Sequence, residues 1–184
     1  ALFGARHCPF AEVSACAAAN SITLGAPPKT FNLAGVVSSY AIVPDEGLRQ
    51  RFFDWLQARE LNEPTVFAPI ATVAAFRHGE KWRREMLAYV EDNIRFVEAY
   101  CREHLSAVRP IRPEASFLVW LDCRELGLAH DDLLDLFVDK ARRALNDGEM
   151  FGTGGAGFMR LNVGTPRAVL EQALPRLVAA VAPL

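Results

Sequence analysis

Lys29 is the only Asp, Glu, Lys or Arg residue between Glu12 and Asp45, in a chain whose charged residues make up 23% of the total. A stretch so poor in charge is apolar enough to be buried, and burial disfavours the ammonium form of a lysine, leaving a neutral amine that can attack a carbonyl carbon. Lys29 is therefore a candidate for an imine with a carbonyl compound; the bland alternative is a lysine snorkelling from a loop after a strand. Arg160 is isolated in the same way, the only charged residue between Glu149 and Arg167. A guanidinium on the polar face of a short strand, beside glycines that let a ligand come close, suits bidentate capture of a carboxylate, against the alternative of an arginine bonding backbone carbonyls. Arg167 falls in the first turn of a helix, where a cation meets the unfavourable end of the dipole, so it needs a partner, either structural or substrate.

Other arrangements carry less. Gly152-Thr-Gly154-Gly-Ala-Gly157 satisfies GxGxxG, yet a strand-like run, Phe158 to Val163, follows it where a dinucleotide site needs a helix N-terminus, and no acid stands about 20 residues on. These glycines read as a mobile loop between strands. His7, His78, His104 and His130 share no ligand spacing, and Cys8, Cys16, Cys101 and Cys123 form no CxxC pair, so no metal site is expected and the cysteines read as reduced thiols. Ser38-Ser39 lacks a GxSxG elbow. Trp55, Trp82 and Trp120 read as core packing.

The elements that must position Lys29 and Arg160 follow from periodicity. Ser21 to Leu24 reads as a strand, and Ala26-Pro27-Pro28-Lys29 as a rigid turn that is neither helix nor central strand. Val36 to Val43 has the composition of a strand buried inside a sheet. Leu48, Phe52, Trp55 and Leu56 predict a helix over 46–61. The nearly uncharged Thr65 to Phe76, with Pro64 before it, predicts a helix buried on most sides, in the main domain or at a subunit interface. Trp82, Met86, Val90, Ile94, Val97, Cys101 and Leu105 recur at steps of three or four and predict one long amphipathic helix. A helix of that length suits a junction, placing domains at 1–95 and 96–184. Beyond it, Ser116 to Leu121 reads as a strand and His130 to Leu145 as a helix. Phe158 to Val163 alternates and reads as a strand with one polar face, and Thr165-Pro166 reads as the cap and first turn of a last helix packed through Val169, Leu170, Ala173, Leu174 and Leu177. The class is α/β at the start with a smaller α+β end.

The chain has 184 residues, 51% of them hydrophobic, and a net charge of -2. No basic field exists to track a nucleic acid, and no apolar run approaches the length that spans a bilayer. A soluble cytoplasmic protein is expected. The chain opens at Ala1 rather than Met, as a fragment would.

Ser21-Ile-Thr-Leu-Gly-Ala-Pro-Pro-Lys-Thr-Phe-Asn-Leu-Ala-Gly35, Asn146-Asp-Gly-Glu-Met-Phe-Gly152 and Gly157-Phe-Met-Arg-Leu-Asn-Val-Gly-Thr-Pro-Arg167 together resemble the fold-type I enzymes that depend on pyridoxal 5'-phosphate (PLP). Within them the match is to the cystathionine β-lyase-like C–S lyase branch of the class I/II aminotransferase family. The resemblance implies an aspartate aminotransferase-like α/β fold, here as the C-terminal part of the PLP-binding large domain followed by the small domain. It places Lys29 at the lysine that forms the internal aldimine with PLP, and Arg160 at the arginine that binds the substrate α-carboxylate. It implies a β-elimination on cystathionine or a related cysteine conjugate giving thiol, pyruvate and ammonia, with an aminotransferase as the nearest rival. It also implies a homodimer when complete. The alternative from another class is a non-catalytic fragment or interaction module, because the aspartate that pairs with the pyridine nitrogen precedes the chain. Relatives usually carry a hydroxyl residue just before the lysine where this chain has Pro28; Thr23 and Thr30 are the nearest substitutes for holding phosphate.

Overall fold

In the computed structural model, residues 3–142 and 145–183 are described, and packing separates them into two units, 6–85 and 86–183 with 3–5. In the first unit, Ser14 caps α1 (Ala15–Ala19) by accepting the Ala17 N–H at 3.0 Å. Strand β1 (Thr23–Gly25) leads into α2 (Pro27–Phe31), and β2 (Tyr40–Ile42) pairs antiparallel with β1. The expected rigid turn at 26–29 is thus a short helix. Prolines at its first two positions give up only N–H groups that a helix start leaves unbonded anyway, and their fixed φ favours the first turn. The left-handed Asn32 ends it, its N–H bonded to Pro28 O.

Two helices complete this unit. Asp45 accepts the Leu48 N–H and caps α3 (Glu46–Gln57), and α4 (Phe67–His78) follows. Within this chain the apolar stretches of the unit are left open. The 36–43 run is a strand only over 40–42, in a sheet of two strands among the described residues, and Val37 is 75% exposed. In α4, Phe67, Ile70, Val73 and Phe76 are exposed and Ala68 alone is buried. Apolar composition records a need for cover, and within this chain these side chains do not find it.

The amphipathic α5 (Glu80–His104) runs 25 residues without a break. It is followed by β3 (Arg109–Ile111), β4 (Leu118–Asp122), α6 (His130–Asp135) continued by a π-helical turn over 136–140, β5 (Asn146–Asp147), β6 (Phe158–Asn162) and α7 (Arg167–Val181). The last four strands form one antiparallel sheet in the order β3-β4-β6-β5. Alternation along β4 and β6 sends Val119, Leu121, Met159 and Leu161 to one face, against Ile94 and Val97 of α5, Leu133, Leu136 and Phe137, and Leu170, Leu174 and Leu177 of α7. The opposite face carries Trp120, Phe158 and Arg160. Val169, counted in the α7 stripe from its spacing, is instead half exposed, and Pro166 rather than Thr165 occupies the N-cap position.

Candidate functional site

Lys29 stands in the last turn of α2, exposed, and among the described residues its amine has no hydrogen-bond or ion-pair partner. Its shelter from water, expected from the uncharged stretch around it, is absent. Helical geometry gives the reason. Phe31 is the inward anchor, with its ring edge-on to Phe76 at 5.6 Å and tilted against Trp82 at 6.5 Å. Lys29, two residues earlier, is rotated by about 200° around the helix axis and so faces away from that packing.

Tyr40 secures the other end of this segment. It pairs with Gly25 across β1 and β2, and its ring occupies the space a side chain on Gly25 would need, with Tyr40 Cζ 2.2 Å from where a Cβ would stand. The first turn of α2 offers no backbone donor to an anion. Pro27 and Pro28 have no N–H, and the Lys29 N–H is bonded to Ala26 O at 3.2 Å. A phosphate would have to be held by other groups.

In the second unit, the antiparallel register lines up Ile111, Trp120, Arg160 and Asn146 as one row across the four strands. Asn146 Oδ1 accepts from Arg160 Nη2 at 2.9 Å, and the guanidinium carbon lies 4.2 Å from the Phe151 ring centre. Phe151 in turn stands edge-on to Trp120 at 5.4 Å. Arg160 Nε is buried with no acceptor among the described residues. An unpaired N–H on a charged group is costly to leave unmet in a protein interior, and a carboxylate oxygen is the acceptor that meets it best.

The residues from 148 to 157 form the hairpin between β5 and β6. Gly152, Gly154 and Gly157 take positive φ there, which a side chain would strain. The neighbouring ends are held by His130, whose Nε2 is 2.9 Å from Asp147 Oδ1 and whose Nδ1 accepts the Gly157 N–H at 3.5 Å. Spacing alone hid this His130 to Asp147 pair, since 17 residues separate them in sequence. Trp120 was also legible only in part. It reads as core, although alternation between the buried Val119 and Leu121 places it on the open face.

Arg167 finds a structural partner. Its Nε donates to Asn93 Oδ1 at 2.8 Å and its guanidinium lies over Phe96 at 4.5 Å, while its backbone N–H donates to Tyr89 Oη. Fully buried Asn93 also donates to Val163 O and Thr165 O, both at 2.9 Å, tying the segment after β6 to α5. Beside the sheet's open face, Asp122 accepts from Arg124 and Arg109, and these bonds hold its carboxyl well below the usual carboxylate range. Among the described residues no group of His, Cys, Asp and Glu could hold a metal ion, and no helix is long and apolar enough to cross a membrane.

No family model matches the chain. It is 40% identical, over 97% of its length, to cystathionine beta-lyase PatB of Bacillus subtilis (strain 168). The chain is a relative of the cystathionine β-lyase-like C–S lyases of the aminotransferase fold. It spans about half the length of the curated relatives it matches, 46% in the case of PatB. Among solved structures, a PLP-bound protein of Clostridium difficile 630 described as an aminotransferase superposes with a TM-score of 0.94 at 38% identity, covering 98% of this chain and 46% of that one. Cystalysin from Treponema denticola, which contains a pyridoxal 5'-phosphate cofactor, superposes with a TM-score of 0.88 at 28% identity, covering 99% of this chain and 46% of that one. The expected aminotransferase-like α/β fold is what these comparisons find.

Proposed function

We propose that this chain contributes Lys29 and Arg160 to a PLP-dependent C–S β-lyase acting on cystathionine or a related cysteine conjugate. The observation that carries the reading is the position of Arg160 in the row on the open face of the sheet, its Nη2 oriented by Asn146 and its guanidinium laid against Phe151. Such a group is prepared for one more oxygen, and the α-carboxylate of an amino acid supplies it. The PatB relationship and the PLP-bound structural relatives support the cofactor and the reaction class.

Lys29 fits the cofactor by chemistry, because a primary amine without a competing partner can hold an aldehyde carbon. When bound, PLP supplies an electron sink for the pair left at Cα. Lys29 then serves as general base for the Cα proton, and Arg160 keeps the α-carboxylate in place while that proton moves. Overall, a cysteine conjugate and one water give a thiol, pyruvate and ammonia. With the start of α2 lacking donors, the cofactor phosphate is left to groups elsewhere in the protein. A homodimer and a cytoplasmic setting belong to the same reading.

Two measurements test it. Borohydride reduction of the PLP-treated protein followed by peptide mapping should place the cofactor on Lys29, and a label on any other lysine, or none, overturns the assignment. Supplied with cystathionine, the loaded protein should release thiol and pyruvate together. Amino transfer to a keto acid without thiol would make it an aminotransferase, and no turnover with no bound cofactor would make the chain a non-catalytic module.

A further inference from the structure

His130 is the first residue of α6, and its side chain, 16% exposed, reaches the base of the β5–β6 hairpin. Its Nε2 lies 2.9 Å from Asp147 Oδ1 and 3.9 Å from Glu149 Oε2, and its Nδ1 accepts the Gly157 N–H at 3.5 Å. Asp147 ends β5 and Gly157 precedes β6, so one imidazole joins both ends of the hairpin. Resting on the reading of Arg160 as the carboxylate holder, we propose that His130 is the positioning residue for Arg160, and that the number of protons on its ring sets how firmly Arg160 is held.

Strand β5 carries the link. Side chains alternate along a strand, so Asn146 turns to the open face, where it bonds Arg160 Nη2 at 2.9 Å, and Asp147 turns to the face that α6 covers. Asp147 Oδ1 also accepts the Glu149 N–H at 2.8 Å and caps the turn over 148–151, which ends in Phe151. The Phe151 ring meets the Arg160 guanidinium at 4.2 Å. Both neighbours that orient Arg160 therefore hang on the segment that His130 clasps.

The contacts of the ring ask for different proton counts. Gly157 needs the lone pair of Nδ1, which only the neutral ring has. At Nε2 the N–H does not aim at Asp147 Oδ1, so Asp147 attracts by charge and attracts the protonated ring more. Glu149 and the neighbouring Asp131 and Asp132 add to that pull. Arg124, which bonds Asp122 and runs beside Gly157, opposes it, as does the start of α6. A second proton sets an N–H at Nδ1 against the Gly157 N–H, two donors facing each other. The β6 end then comes free while the β5 end tightens, and acid loosens the setting of Arg160.

The experiment is NMR on the isotope-labelled protein from about pH 8 to about pH 5, the range over which a histidine ordinarily changes charge. The ring protons of His130, the Gly157 N–H and the Arg160 Nε resonance should move with one midpoint. In His130→Asn, whose Oδ1 replaces Nδ1 as acceptor and takes no proton, the Gly157 and Arg160 signals should stay still, and L-alanine should bind equally at both ends of the range. The native protein should bind L-alanine about three- to tenfold more weakly at the acid end, the worth of about one hydrogen bond, and His130→Ala should bind it that weakly throughout. An Arg160 signal that ignores the His130 midpoint or still moves in His130→Asn overturns the proposal, as does native affinity in His130→Ala. Arg160→Met tests the underlying reading separately. If L-alanine binds that variant as well as it binds the native protein, or binds neither, the carboxylate role falls, and the link from His130 to Arg160 is decided by the Gly157 and Arg160 signals.

Discussion

The Phe31 ring fills the space beside Gly79. A Cβ built on Gly79 would stand 2.7 Å from Phe31 Cε1 and 2.5 Å from the Ala75 carbonyl oxygen. The bare Cα at the junction of α4 and α5 is therefore what lets α2, and Lys29 with it, seat against those helices. Gly79→Ala should destabilise the 6–85 unit by about 1–3 kcal/mol, because neither a backbone oxygen nor a ring wedged between Phe76 and Trp82 can yield cheaply. Denaturant unfolding measures this, and slower labelling of Lys29 by PLP and borohydride should accompany it.

Asn93 satisfies three groups at once inside the 86–183 unit: Val163 O, Thr165 O and Arg167 Nε. Removing it leaves the buried Val163 carbonyl, the part-buried Thr165 carbonyl and a charged donor without this partner. Asn93→Ala should cost about 3 kcal/mol, read from the midpoint of urea unfolding. Asn93→Asp should keep the Arg167 contact but lose both carbonyl contacts.

Asp122 makes stability depend on acid. Its hydrogen bonds from Arg124 and Arg109 lower its folded-state value below the ordinary 3.8, so the folded protein binds this proton less readily than the unfolded chain does. The contribution is complete above that ordinary value and is lost as pH falls below it toward the depressed one. Unfolding midpoints measured from about pH 6 down to about pH 2.5, which brackets the ordinary carboxylate value, should fall more steeply for the native sequence than for Asp122→Asn.

The four cysteines should separate into two classes. Burial pushes Cys101 up to about 11 and Cys123 up to about 12, and both lie in the core, whereas Cys8 and Cys16 are exposed. Since the thiolate is the reactive form, iodoacetamide near neutral pH should modify Cys8 and Cys16 first, and Cys101 and Cys123 only on unfolding. Peptide mass spectrometry over a time course reads the difference.

Local pattern carried much of this molecule. The step of three and four residues from Trp82 to Leu105 specified α5, because a helix shows the same face at that interval whatever surrounds it. The alternation in Phe158 to Val163 likewise specified β6 and put Arg160 on the face away from the core. The lone charges Lys29 and Arg160 stood out before any fold was drawn, since each is the single charged residue of a long uncharged stretch.

Tertiary structure alone decided what those residues face. Register, a long-range property, set Ile111, Trp120 and Asn146 in line with Arg160, and no spacing within a single strand contains it. Packing turned Phe31 inward and Lys29 out to solvent, and gave Arg167 to Asn93 from 74 residues away. It also left α4 and the strand at 40–42 uncovered although their composition asks for cover. Hydrophobicity is a property of one segment, while burial needs a second surface to meet it, and only the folded chain determines whether that surface is there.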